Sequence, residues 1–173
     1  MYPFYIRKVH ADELSLVLQL LKEAATALQQ KGLEQWHVWL QPKPENIAWI
    51  EEGLNNQEFF FVENDASEVM GMYRLSYNDQ LYWGEQTEKA GYVHSLVVRK
   101  QFAGANLGTA MLNYIADGLI QQGIHLFRLD CDAANKWLCN YYESQGFQHV
   151  GEKRMPHGLN NLYEKELGKL SGI

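Results

Sequence analysis

Cysteine is almost absent from the chain, and the two present, Cys131 and Cys139, have neither metal-binding nor redox-motif spacing. Both are expected to be small buried hydrophobes kept as thiols, and no metal is expected. Basic residues are also scarce: 15 Lys and Arg stand against 21 Asp and Glu, a formal charge of -6. Binding a phosphate backbone requires a basic surface, so nucleic acid is not an expected partner, and a cationic small molecule suits the balance better. Long apolar runs are missing too. None approaches the roughly 18 residues that span a bilayer, and MYPFYIRKVH lacks the apolar centre of a signal peptide. A soluble, cytoplasmic protein with no membrane partner is expected. Repeats, linkers and low-complexity tracts are lacking as well, so residues 1–173 read as one domain. Hydrophobic residues at 46% and charged ones at 21% fit a chain that buries a core.

What the chain does contain is an interleaving of two periodicities. Residues 4–9 alternate as a first strand. Leu14, Val17, Leu18, Leu21, Ala25 and Leu28 then recur at helical spacing behind Asp12, a cap candidate, and Gly32 is placed to end that helix. A second helix is predicted near residues 45–54. Residues 58–63 read as a buried strand joined by a turn to residues 69–77, where Gly71 marks a bulge. Residues 78–89 are polar around Tyr82 and Trp83 and read as a loop. Further strands are predicted at 93–99, 124–131, from 147 and near 159–166, with helices at 106–122 and 136–145. The fold class is therefore α/β: a mixed central sheet of about six to seven strands flanked by helices, with one strand-helix-strand crossover between parallel neighbours.

The stretch VHSLVVRKQFAGANLGT, residues 93–109, organises the rest. A β-branched run leads through a loop of small residues, Ala103, Gly104, Ala105 and Gly108, into a helix with one apolar face. Such a helix start offers unpaired N–H groups and a partial positive charge to a phosphate that can approach the main chain. No Lys follows Gly108, which excludes the nucleotide P-loop, and the G-x-G-x-x-G dinucleotide spacing is not met.

Residues 96–108 resemble the acetyl-CoA loop of the GNAT N-acetyltransferase family, which opens on L-A-V and closes on R/Q-x-x-G-x-G/A. Leu96, Val98, Phe102, Gly104, Leu107 and Gly108 stand where the pattern expects them, while Ala103 replaces the Arg or Gln and Asn106 the first motif Gly. Backbone N–H groups do not depend on side-chain identity, and Asn tolerates a left-handed conformation, so the cradle is expected to survive both departures. A second signature follows at Asn135, Tyr142, Glu143, Gly146 and Phe147, which is similar to the family's Asn and, further on, Tyr-Glu-x-x-Gly-Phe.

The resemblance implies splayed fourth and fifth strands. Leu96 and Val98 would bond the pantetheine arm of acetyl-CoA, the co-substrate. Ala103, Gly104, Ala105, Asn106, Leu107, Gly108 and Thr109 would hold the pyrophosphate, and Asn135 would reach the arm, although a helix-capping role also accounts for that Asn. Tyr142 would be the general acid for the departing thiolate. His94, on the same strand face as Leu96 and Val98, is the candidate base, at a position where many family members carry Glu. Trp36, Trp39, Tyr82 and Trp83 are candidate acceptor-binding aromatics, with core cover as their other reading. The activity implied is acetyl transfer to a primary amine of a small molecule or peptide by direct attack in a ternary complex. A non-catalytic acyl-CoA-binding module and transfer of another acyl group are the alternatives. The oligomeric state is left open, a homodimer included.

Overall fold

A computed structural model of the chain describes residues 3–168. Seven strands and five helices follow one another as β1 (Tyr5–Lys8), α1 (Leu14–Gln30), α2 (Pro44–Asn55), β2 (Phe59–Glu63), β3 (Val69–Ser76), α3 (Gln80–Trp83), β4 (Ala90–Val98), α4 (Leu107–Gln121), β5 (Leu126–Asp132), α5 (Lys136–Ser144), β6 (Gln148–Met155) and β7 (Gly158–Glu166). The strands form one mixed sheet in the order β1-β2-β3-β4-β5-β7-β6, with β4 parallel to β5. This is the α/β sheet flanked by helices that the periodicities predict. Two compact units divide the chain: the described part of Met1–Leu75 with Ser95–Gly108, and Ser76–His94 with the described chain from Thr109 onward.

In the first unit, β1, β2 and β3 form an antiparallel meander. Its core gathers Val17, Leu20 and Leu21 of α1, Ile50 and Leu54 of α2, and Phe59, Phe61, Met72 and Val97 of the strands. Helix α1 stops where the chain must turn left-handed: Gly32 has φ 74, its N–H donates to Gln29 O, and Leu33 N–H donates to Leu28 O. Gly71 faces Val62 while Val69 faces Glu63, so an extra residue is inserted in β3 at the expected bulge. The bulged glycine lies against the Val97 carbonyl of β4, where a Cβ would collide with backbone.

In the second unit, β5 carries most of the register. Its residues from Leu126 to Leu129 pair in parallel with Ala90 to Val93, and the strand pairs antiparallel with β7 along its whole length. Helix α4 makes the crossover between the parallel strands, and Leu119 packs so tightly on Gly91 that even a methyl there would displace it. Phe127, Phe147, Tyr142 and Tyr163 form an aromatic core under α5. The predicted loop before β4 holds the single turn of α3, because Asp79 caps it by accepting from Tyr82 N at 3.2 Å.

Candidate active site

The parallel ladder of β4 and β5 ends at Val93 and Leu129, although β4 continues to Val98 and β5 to Asp132. At this point Ser95 adopts φ 53, a left-handed kink inside a strand. The next residues of the two strands, His94 and Asp130, are therefore the first to stand beyond the ladder. The Nδ1 of His94 lies 3.9 Å from Asp130 Oδ1, and its Nε2 lies 3.4 Å from Asp79 Oδ2. The sequence-predicted base is thus placed between two carboxylates that the sequence reading did not find.

The cluster is held by a chain of polar contacts. Asn160 Nδ2 donates to Asp130 Oδ2 at 2.7 Å, and the Asn160 Oδ1 lies 3.3 Å from His157 Nε2. Burial, with Asp79 adding a like charge, pushes the Asp130 carboxyl up to about 7, and the Asn160 hydrogen bond only partly offsets this. Tyr82 stands on the other side, its ring centre 6.4 Å from that of His94. Burial pushes its hydroxyl pKa up, and the charges of Asp130 and then Asp79 push it further, so the phenol stays protonated. Three ligand-type atoms, from Asp79, His94 and Asp130, lie within 4.8 Å of one another, the spacing at which a cation could be held. An arriving positive charge meets the carboxyl groups of Asp79 and Asp130 here, and it would favour the ionised form of Asp130, which burial otherwise keeps protonated up to about pH 7.

Trp83, next to Tyr82, is occupied differently. Its ring packs edge-on to Tyr92 at 5.9 Å, and the Arg128 guanidinium lies 4.8 Å over it. Arg128 is 3% exposed and donates to Glu164, Tyr92 and Glu88, so this part of the loop is fastened to the sheet. Tyr142 is buried on α5 among Tyr141, Phe147 and Tyr163. Burial first, then nearby Cys131 and Asp130, raises its pKa well above the ordinary phenol value, which keeps a proton on its oxygen. Asn135 caps α5 through Oδ1, which accepts from Leu138 N at 3.2 Å. Cys131 and Cys139 are buried thiols, as expected, and their sulfurs are 3.7 Å apart. Burial and the neighbouring Cys139 push the Cys131 thiol up.

The first unit carries the loop. Val97 is buried, while Leu96 and Val98, the residues expected to lend backbone groups, are partly exposed. Arg99 anchors the loop's start: its Nε and Nη2 donate to both Glu23 oxygens at 3.0 and 2.9 Å, and its N–H donates to Met70 O. A 3-10 turn over Lys100–Phe102 follows, and then Ala103, Gly104 and Asn106 are exposed, with Ala105 half-buried. Gly104 has φ 84 and Asn106 has φ 57, so the Asn that replaces the motif Gly does adopt the left-handed conformation. Leu107 is buried and starts α4, followed by Gly108 and by Thr109, whose hydroxyl lies 3.2 Å from the Tyr141 hydroxyl. In the same unit Trp36 and Trp39 share the turn after α1. Trp39 is buried against Trp49 and serves the core, whereas Trp36 is half-buried and held at φ 64, a strained conformation for so bulky a residue.

Among the described residues no helix is long and apolar enough to cross a membrane. Comparison with known proteins agrees with the order of these elements. The acetyltransferase (GNAT) family profile matches residues 18–147. An uncharacterized N-acetyltransferase, YesJ of Bacillus subtilis (strain 168), is 28% identical over 168 residues, 95% of this chain and 91% of the relative. A GNAT-family acetyltransferase of Listeria monocytogenes 4b F2365 superposes with a TM-score of 0.79 at 26% identity, over 96% of both chains. The aminoglycoside acetyltransferase AAC(6')-Ib, solved with ribostamycin and coenzyme A, shares the fold at a TM-score of 0.73 and 16% identity, over 94% of this chain and 93% of that one. With the profile spanning both signature segments, the chain belongs to the acetyltransferase (GNAT) family.

Proposed function

We propose that the protein transfers the acetyl group of acetyl-CoA to a primary amine by direct attack, without an acyl-enzyme. The observation that carries this reading is His94 set between Asp79 and Asp130 where the β4–β5 ladder stops. The amine nitrogen attacks the thioester carbonyl carbon, forming the N–C bond. The proton it sheds passes to His94, directly or through one water, and the resulting cation is flanked by the carboxyl groups of Asp79 and Asp130. The C–S bond then breaks, and the departing thiolate takes its proton from Tyr142, whose burial keeps it protonated until that moment. The donor's pyrophosphate is assigned to the N–H groups from Ala103 to Thr109, and its pantetheine arm to the backbone of Leu96 and Val98. The left-handed Gly104 and Asn106, both exposed, fit such a cradle.

For the acceptor, the carboxylates favour an ammonium, and Tyr82 beside His94 offers it a ring. Trp36 is a further acceptor residue on account of its strained, half-buried placement. That AAC(6')-Ib holds ribostamycin and coenzyme A together supports a ternary complex. The test is release of free thiol from acetyl-CoA across a panel of monoamines, polyamines, amino sugars and peptides. Turnover with a cationic amine is the expected result. Binding of acetyl-CoA with no turnover on any amine would make the chain an acyl-CoA-binding module instead, and turnover only with longer thioesters would change the acyl group.

A further inference from the structure

We propose that Asp79, His94 and Asp130 form a binding site for a divalent transition-metal ion of the zinc or cobalt kind, and that the bound ion blocks acetyl transfer by occupying the base. The site stands on geometry alone, while the block rests on the role of His94 argued above. All three residues belong to the second unit and come from different elements: Asp79 caps α3, His94 lies in β4 and Asp130 in β5. One ligand atom from each lies within 4.8 Å of the other two. Ligands held tetrahedrally at about 2.0–2.2 Å from zinc are roughly 3.4 Å apart, so side-chain rotation has to close a gap of roughly 1.4 Å at most.

Two features separate this trio from a solvated acidic cluster. The first is the imidazole. Oxygen ligands alone suit magnesium or calcium, and a ring nitrogen moves the preference to zinc, cobalt or nickel. The second is orientation imposed from outside the trio. Asn160, itself 5% exposed, donates from Nδ2 to Asp130 Oδ2 at 2.7 Å, and Asp130 Oδ1 faces His94 Nδ1 at 3.9 Å. Asp79 Oδ1 accepts from Tyr82 N at 3.2 Å, and its Oδ2 faces His94 Nε2 at 3.4 Å. Such outer partners aim the ligands before an ion arrives. The three side chains are between 6% and 15% exposed, with His94 the most open, so an entering ion would exchange most of its water for them. With both Asp ionised, the two charges of the ion are balanced. A ring nitrogen engaged by the ion has no lone pair for the acceptor's proton, and the ion's charge repels an ammonium.

The experiment titrates the full chain, stripped of metal with a chelator, with Co²⁺ and then with Zn²⁺. Absorption spectra and calorimetry read binding, and thiol release reads turnover with an amine that serves as acceptor. The expected result is one Co²⁺ per chain, with no thiolate-to-cobalt charge-transfer band, displaced by Zn²⁺. Asp79→Asn, His94→Gln and Asp130→Asn should each weaken binding by at least about tenfold, and Asn160→Ala by about 10- to 100-fold, the range for an outer partner. His149→Gln, at an exposed position of β6, should change nothing. Zn²⁺ should raise the apparent KM for the amine and leave acetyl-CoA affinity as it was. Melting curves identify any variant that fails to fold, and the parent's stoichiometry and spectrum test the site without it. No stoichiometric binding, a charge-transfer band that puts the ion on Cys131 and Cys139, or parent-like affinity in the three ligand variants would overturn the site. A stoichiometric ion that leaves turnover unchanged would keep the site and overturn the block, and with it His94 as the base, so the two failures are distinguished.

Discussion

Arg128 of β5 and Glu164 of β7 are register partners, and the guanidinium Nε donates to the carboxylate Oε2 at 2.7 Å. On its other side Arg128 is the register partner of Tyr92 in β4, to whose hydroxyl Nη1 donates at 2.8 Å. The cation is thus bonded across three adjacent strands while almost out of water. Removing one side of such a pair strands the other, so Arg128→Met is expected to destabilise by about 3 kcal/mol in urea unfolding. Arg128→Lys keeps the charge but cannot span both partners, and should fall between. A loss under about 0.5 kcal/mol for the methionine variant would mean that its packing replaces the network in full.

Asp130 supplies a pH signature of the proposed site. Its carboxyl is raised from an ordinary 3.8 to about 7 by burial. Below about 4 it is neutral in folded and unfolded chains alike. Between there and about 7 the unfolded chain loses the proton that the folded chain keeps, so the folded state is increasingly disfavoured as pH rises. Glu13 works the other way: the Arg7 hydrogen bonds lower it to about 2, and its contribution is lost on acidification from its ordinary 4.5. The difference between parent and Asp130→Asn isolates the first effect. Melting temperatures from pH 4 to 8 should show the variant gaining on the parent as pH rises, and parallel curves would contradict the assignment.

Two glycines should respond to alanine with opposite signs. At Gly71 a Cβ would meet the Val97 carbonyl, which is backbone and cannot rotate away, so Gly71→Ala should cost roughly 1–3 kcal/mol or more. At Gly118, inside α4, nothing lies within 4 Å of a new Cβ. There the substitution removes helix-interior glycine and should stabilise by up to about 1 kcal/mol. Denaturant midpoints of the two variants against the parent decide the matter, and a destabilised Gly118→Ala would show that α4 is not free to accept the methyl.

The elements were legible because their signals are local. The α1 stripe, the stop at Gly32, the Gly71 bulge and the Asn106 turn each depend on a few neighbouring residues, and each appears where the sequence places it. The partners of His94 were not legible. Asp79 reads as a polar loop residue and Asp130 as the polar position of a strand, and it is the pairing of Val93 with Leu129 that sets 94 beside 130. Register between distant strands is a tertiary fact that periodicity does not encode. The same holds for Trp39, whose aromatic character fits a binding wall and a core equally well until Trp49 and α1 are packed against it.

Tyr142 is where the chemistry can be separated from the fold. Its ring lies within about 6 Å, centre to centre, of Tyr141, Phe147 and Tyr163, contacts that Phe at this position preserves. Tyr142→Phe deletes only the hydroxyl and keeps the ring. Melting temperature and acetyl-CoA affinity should therefore stay near the parent values. Turnover should fall by about 10²- to 10⁴-fold, the range of general acid catalysis. Because the protonated phenol is favoured by burial, the parent rate should show no loss attributable to this group at neutral pH. A better leaving group relieves the need for a proton, so thioesters of more acidic thiols should lose less in the variant than acetyl-CoA does. Parent-like kcat in Tyr142→Phe with acetyl-CoA, with binding intact, would assign this tyrosine to the aromatic core and leave protonation of the thiolate to water.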